Sequence, residues 1–265
     1  MIERGVILDL NMMTQTLRKL TGHPISLAVL NFGLFKVHSN GRVIGIPGFL
    51  IETNAGEIIL IDTGFPEKYA KDINQASDED RLGEFGELLE LTYEHQPEEQ
   101  LAKLGLTKSD IDYLIITHTH IDHVGNIGGF PNVPIIIGKE ERELDKPIYW
   151  RGNKPLDWPN TEYILITEDT HLGENFEVLH VPGHTPGELS ILVKLPESGS
   201  ILLTSDAISR ESEIAEGCLD ATNPAQAISS AKRILELARK RDALVIYGHG
   251  PEQWNQLKKA PYRYK

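Results

Sequence analysis

The sequence predicts an α/β protein: two mixed β-sheets packed face to face and flanked by helices, an αβ/βα sandwich. Short apolar and β-branched segments, the signature of strands, dominate each half of the chain. Segments with helical spacing fall between or after those runs, which puts helices on the outside of sheets. No Gly/Ser-rich or Pro-rich linker and no repeat of about 20 to 50 residues divides the chain, so residues 1–265 read as a single domain.

Taken in order, residues 26–37 are rich in Leu, Val and Phe, residues 45–52 follow, and residues 57–62 come after the turn-like 53–56. All three read as strands, and two of them form a hairpin. Residues 78–104 are charged, with Leu82, Phe85, Leu88, Leu89 and Leu91 at helical spacing, which predicts a surface helix and a second helix ending at Gly105. A strand at 112–117 follows, then a strand at 133–137, a helix at 139–144, and strands at 163–167, 176–180, 189–194 and 201–204. Asn223 can cap a long helix that begins at Pro224, with Ala227, Ile228, Ala231, Ile234, Leu235 and Ala238 on one face. The strand 243–247 comes last, and Lys258, Lys259, Arg263 and Lys265 read as a solvated tail.

Composition narrows the function. With 40% hydrophobic and 25% charged residues the chain can build a core, which excludes a disordered scaffold. Its formal charge of −13 opposes the phosphate backbone and anionic lipid, so neither nucleic acid nor a membrane is an expected partner. The one cysteine, Cys218, has no intramolecular partner and asks for no oxidising compartment. Residues 1–5 lack a basic start leading to an apolar run, and no run approaches the roughly 18 residues of a membrane span. A cytoplasmic protein is expected.

Chemistry concentrates after the strand 112–117. There Thr117 leads into His118, Thr119, His120, Ile121, Asp122, His123, Val124 and Gly125, a His-x-His-x-Asp-His cluster. Imidazole and carboxylate suit zinc and neighbouring first-row metals, and a loop leaving a strand can aim one pair at one ion and the next pair at another. Further ligands must then come from other strand ends. His184 lies in a Pro- and Gly-rich turn, Asp206 follows the strand 201–204, and His249 follows the last strand. Two metals can polarise a carbonyl and acidify a water for attack on an ester, thioester or amide, without a nucleophilic Ser or Cys. Thr117, Thr119 and Cys218 therefore read as structural. His23, His38, His95, His171 and His180 belong to no such cluster, and Phe35, Phe49, Phe65, Tyr149, Trp150 and Trp158 either line an acyl-chain pocket or pack, with packing the stronger reading of each one singly.

In this order and spacing the motifs resemble those of the metallo-β-lactamase superfamily of dinuclear metal hydrolases, over about residues 45–250. The match includes Asp62-Thr63-Gly64, where that family has a turn supporting the metal loop. The resemblance implies an αβ/βα sandwich in which His118, His120 and His184 bind one divalent ion and Asp122, His123 and His249 the other. Asp206 would bridge them, Asp62 would support the loop from behind, and Asp122 would also shuttle a proton to the leaving oxygen. Zinc is the default for both ions, with iron, manganese or cobalt also compatible with the ligands.

Within the superfamily the flanking segments resemble the quorum-quenching N-acyl-homoserine lactone lactonases, which implies a small-molecule substrate whose lactone ring is opened by hydroxide bridging the metals. Another lactone, a thioester or a β-lactam is the alternative. Those lactonases usually carry a tyrosine three positions after the bridging aspartate, where this chain has Ser209, and an aspartate after the last histidine, where it has Gly250. Ser209 is accordingly the candidate substrate contact. Residues 78–104 are a reasonable place for a homodimer contact.

Overall fold

The computed structural model describes residues 20–150 and 152–265, so the reading of residues 1–5 lies outside it. Strands β1 (Pro24–Val37), β2 (Val43–Thr53), β3 (Ile58–Ile61), β4 (Gly86–Glu90), β5 (Tyr113–Ile116), β6 (Ile135–Gly138) and β7 (Tyr163–Ile166) form one sheet, in the order β4-β1-β2-β3-β5-β6-β7. A second sheet holds β8 (Thr170–Gly173), β9 (Phe176–His180), β10 (Leu189–Leu195), β11 (Gly199–Leu203) and β12 (Leu244–Ile246), in the order β12-β11-β10-β9-β8. Both sheets mix parallel and antiparallel pairs, as expected, and β2 and β3 form the antiparallel hairpin.

Side-chain alternation along the strands builds the layers. Leu27 and Val29 of β1 face inward with Ile59, Ile61 and Ile115, meeting Val178, Ile191 and Ile201 of the second sheet. The intervening Ala28, Leu30 and Phe32 face the outer elements. On the far side, Leu192 and Leu202 pack against Ala231, Ile234 and Ala238 of the helix Pro224–Lys240. Asn223 caps that helix by accepting from the Gln226 N–H at 3.2 Å. The result is the predicted αβ/βα sandwich. Among the described residues no helix is long and apolar enough to cross a membrane.

The segment 78–104 departs from expectation. A helix spans Ile73–Asp80 and stops at Arg81, whose φ of 58° is left-handed. Where a surface helix was expected, Gly86–Glu90 is instead an edge strand paired antiparallel with β1, Phe35 opposite Leu88. Gly83 and Gly86 weaken a helix, and a Cβ on Gly86 would lie 2.2 Å from the Lys36 carbonyl oxygen, so this glycine admits the close strand approach. The expected second helix is Pro97–Ala102. Strand β8 lacked a recognisable apolar run, with Leu172 its one buried apolar side chain.

The carboxy-terminal tail is not loosely solvated. Leu27 and Tyr264 exchange backbone hydrogen bonds at 2.9 and 2.7 Å, and Arg263 pairs with Glu52 at 3.1 Å.

Candidate metal centre

The strand directions bring the candidate ligands to one edge. Strands β3 and β5 run parallel, and so do β11 and β12. Strand β9 is antiparallel to β10, which is antiparallel to β11, so β9 and β11 run the same way. Asp62, His118, His184, Asp206 and His249 follow the carboxyl ends of β3, β5, β9, β11 and β12, where side chains can converge.

Local contacts hold each loop in place. Asp62 has a left-handed φ of 60°, and its carboxylate accepts from the Thr117 N–H at 2.9 Å and the Thr117 hydroxyl at 2.9 Å. Thr63 donates its N–H to the His123 carbonyl at 2.7 Å, and Gly125 donates to the Gly64 carbonyl at 3.0 Å. A Cβ on Gly125 would lie 2.4 Å from that Gly64 oxygen, so the two turns lock only with glycine there. Around His184, the Ser230 hydroxyl donates to the Pro182 carbonyl at 2.7 Å, and the Thr222 N–H donates to the His184 carbonyl at 3.0 Å. Ser205 donates its hydroxyl to Thr117 at 2.8 Å, joining the loop before Asp206 to the loop before His118.

Two groups result. One ligand atom from each of His118, His120, His184 and Asp206 lies within 4.8 Å of the others, and the same holds for Asp122, His123 and His249. His118 Nε2 and His184 Nε2 each lie 3.0 Å from His120 Nδ1. Asp206 faces both groups: one carboxylate oxygen is 3.1 Å from His249 Nε2 and 3.7 Å from His123 Nε2, the other 3.5 Å from His184 Nε2. Asp122 lies 3.4 Å from His249 Nε2 and 3.6 Å from His123 Nε2.

Rear contacts set which nitrogen faces inward. His123 Nδ1 is 2.9 Å from the Asp62 carboxylate, His249 Nδ1 is 3.0 Å from the Gly45 carbonyl, and His118 Nδ1 is 3.3 Å from the Glu188 carboxylate. An acceptor on Nδ1 keeps the proton there and turns the Nε2 lone pair toward the centre. Buried His123 Nε2 and one Asp206 oxygen have no hydrogen-bond partner. Orphaned ligand atoms inside an imidazole and carboxylate cluster fit divalent cations of the first-row type.

Electrostatics divide the histidines. Burial holds His184 down to about 3, and burial with the neighbouring imidazoles lowers His118. Burial also opposes the charged form of His249, but Asp206 outweighs it and raises the imidazole to about 9.

Two carboxylates missed in the sequence complete the support. Glu188, fully buried just before β10, also accepts from the Asp206 N–H at 3.1 Å, and burial pushes its carboxyl well above the usual range. Glu141 accepts from the Thr119 hydroxyl at 2.9 Å and the Gly187 N–H at 3.0 Å, tying the metal loop to the turn that carries His184. Neither sits in a local motif; their only sequence signal is an acidic residue beside an apolar strand.

The cluster opens into a cavity of about 690 Å³. His120, Asp122, His184, Asp206 and His249 line it, as do Ser209, Arg42 and Arg210. Phe35, Phe65, Tyr149 and Trp150 line it too, the pocket alternative of their sequence reading, rather than packing alone. Phe49 packs between the sheets, and Trp158 donates to the Leu144 carbonyl at 2.9 Å. His38, set aside in the sequence, also reaches the cavity, whereas His180 faces Glu140 at 3.4 Å.

Comparison with known proteins agrees with this geometry. The family model of the metallo-beta-lactamase superfamily matches residues 43–249. The N-acyl homoserine lactonase AiiA of Bacillus thuringiensis subsp. kurstaki is 33% identical over 218 residues, covering 80% of this chain and 85% of that protein. An N-acyl homoserine lactonase of Bacillus cereus is 34% identical over 226 residues, covering 83% and 88%. A solved N-acyl homoserine lactone hydrolase, with the product N-hexanoyl-L-homoserine at its catalytic metal centre, superposes with a TM-score of 0.75 at 26% identity, covering 91% of this chain and all of that one.

Proposed function

This chain belongs to the metallo-β-lactamase superfamily, and we propose that it is a metal-dependent hydrolase that opens the ring of N-acyl homoserine lactones. One observation carries the reading: a histidine and aspartate cluster with orphaned ligand atoms opens into the same cavity as an aromatic wall. A polar reactive centre beside an apolar wall suits a small ester ring bearing an acyl chain.

His118, His120 and His184 would hold one divalent ion and Asp122, His123 and His249 a second, with Asp206 between them and zinc as the default. Bound there, the ions would supply Lewis acidity to the lactone carbonyl and bring water acidity toward neutral pH. Asp62, Glu188 and the Gly45 carbonyl hold three of the imidazoles in orientation. Asp122 is partly open to the cavity, where its carboxylate can carry a proton to the leaving oxygen. Phe35, Phe65, Tyr149 and Trp150 exclude water from the acyl chain. Ser209, whose carbonyl accepts from the His249 N–H at 2.7 Å, is the substrate contact and reaches the ring through a water.

The same reading takes residues 1–265 as one hydrolase domain acting in the cytoplasm on a small molecule, with self-association through residues 78–104. Ser209 in place of a tyrosine favours a second reading, in which the scaffold acts on another lactone, a thioester or a β-lactam. The test is acid release from short-chain and long-chain N-acyl homoserine lactones by metal-loaded protein, beside γ-lactone, thioester and β-lactam controls. Chelator-sensitive opening of the acyl lactones is expected. Silence on them, with turnover of a control, would transfer the assignment to the second reading.

A further inference from the structure

Arg42 stands at the end of the turn between β1 and β2, its N–H donating to the Asn40 side chain at 3.0 Å and its carbonyl accepting from the Val37 N–H at 2.9 Å. The backbone is thus fixed, and the side chain lines the cavity that holds the metal cluster. Its Nε is buried without a hydrogen-bond partner. The terminal nitrogens come no closer than 4.0 Å to Glu216 and Asp220, beyond hydrogen-bond reach. Arg210, by contrast, is engaged: Nε donates to Glu216 at 3.0 Å, and one terminal nitrogen lies 3.4 Å from Glu213.

Positive charge at this corner of the cavity is already fully compensated by carboxyl groups while donors are left over. Two guanidiniums, Arg42 and Arg210, face three carboxyl groups, Glu213, Glu216 and Asp220. A carboxylate on a ligand would meet Glu216 and Asp220 as like charges, but a neutral oxygen would meet only idle N–H groups. Leaving the buried Nε donor unused is costly, so a neutral acceptor gains most there.

We propose that Arg42 donates hydrogen bonds to a neutral carbonyl oxygen on the substrate's side arm, the amide oxygen of an N-acyl lactone. This rests on the lactonase reading and adds to it a group that distinguishes acyl-amide lactones from plain alkyl lactones. The cavity's aromatic wall alone offers no such distinction, because it binds either chain equally by apolar contact.

The experiment compares an N-acyl homoserine lactone with a γ-alkyl lactone of matched chain length, in the metal-loaded wild type, Arg42→Met and Arg42→Lys. Arg42→Met is expected to lower kcat/KM for the acyl-amide lactone by about 10- to 100-fold, mainly through KM, the scale of a hydrogen bond from a charged donor. Its loss on the alkyl lactone is expected to be at least about tenfold smaller, with Arg42→Lys recovering part of the difference. Equal losses on both lactones, or no loss, would overturn the role. Should Arg42→Met fail to fold, calorimetric titration of the wild type with N-hexanoyl homoserine and with 4-hydroxydecanoate decides. At least about tenfold tighter binding of the amide supports Arg42, and equal affinity overturns it. A wild type that opens neither lactone would instead remove the lactonase reading, and this inference with it.

Discussion

His118, His123 and His249 come from two loops yet share one arrangement, an oxygen acceptor behind Nδ1 and Nε2 facing the cluster. That arrangement orients each ring so that Nε2 points at the cluster, the geometry a metal ligand needs. His118→Ala and His184→Ala are each expected to lose bound metal, read by elemental analysis, and turnover with it. Asp122→Asn keeps a weaker oxygen ligand, so it should retain more metal while kcat falls by about 10²- to 10⁴-fold, the range of a lost acid–base group. Unchanged turnover in all three variants would remove these residues from the chemistry. The His-x-His-x-Asp-His cluster was legible because its six positions are contiguous and four of them carry diagnostic side chains. Glu188 and Glu141 were not, since each acts through a neighbour contributed by a distant segment, and Arg42 was not, since only the fold brings its turn to the cavity; nothing in their local sequence marks these partners.

Among the elements, strands with long apolar runs were legible and the region 78–104 was misread for a physical reason. Leu82, Phe85, Leu88 and Leu89 satisfy helical spacing, but β1 extends past β2's other neighbours and its free edge takes a strand, burying Leu88 and leaving Leu89 exposed. Tertiary pairing there outweighed a local pattern. The same region holds a pH-sensitive turn. His95 is buried and its Nδ1 accepts from the Thr92 N–H at 3.1 Å, which requires the neutral ring. Burial lowers its pKa, with Glu90 partly opposing. The unfolded chain therefore takes up a proton at about 6.5, before the folded chain does, and stability is lost as pH falls below that value. Urea unfolding at pH 7 and pH 5 should show a smaller loss for His95→Gln than for the wild type. An equal loss would mean that His95 does not contribute to acid sensitivity.

At the scale of the molecule, the two sheets carry the site jointly: β3 and β5 of one and β9, β11 and β12 of the other end at the same edge. Cations bound between them would tie the halves of the sandwich together, and removing them would leave His123 Nε2 and an Asp206 oxygen buried without partners. A ligand that binds only the folded chain stabilises it by about 2.7 kcal/mol at a hundredfold excess over Kd. For a chain of this size each kcal/mol moves Tm by about 2 to 4 °C. Chelation is therefore expected to lower Tm by at least about 5 °C, with recovery on adding back zinc. The His184→Ala variant separates this effect from chelator binding or metal held elsewhere. Lacking one ligand of the first group, it should start from a lower Tm and show a smaller shift on chelation. A shift as large as the wild type's would place the stabilising metal outside the edge that the two sheets share.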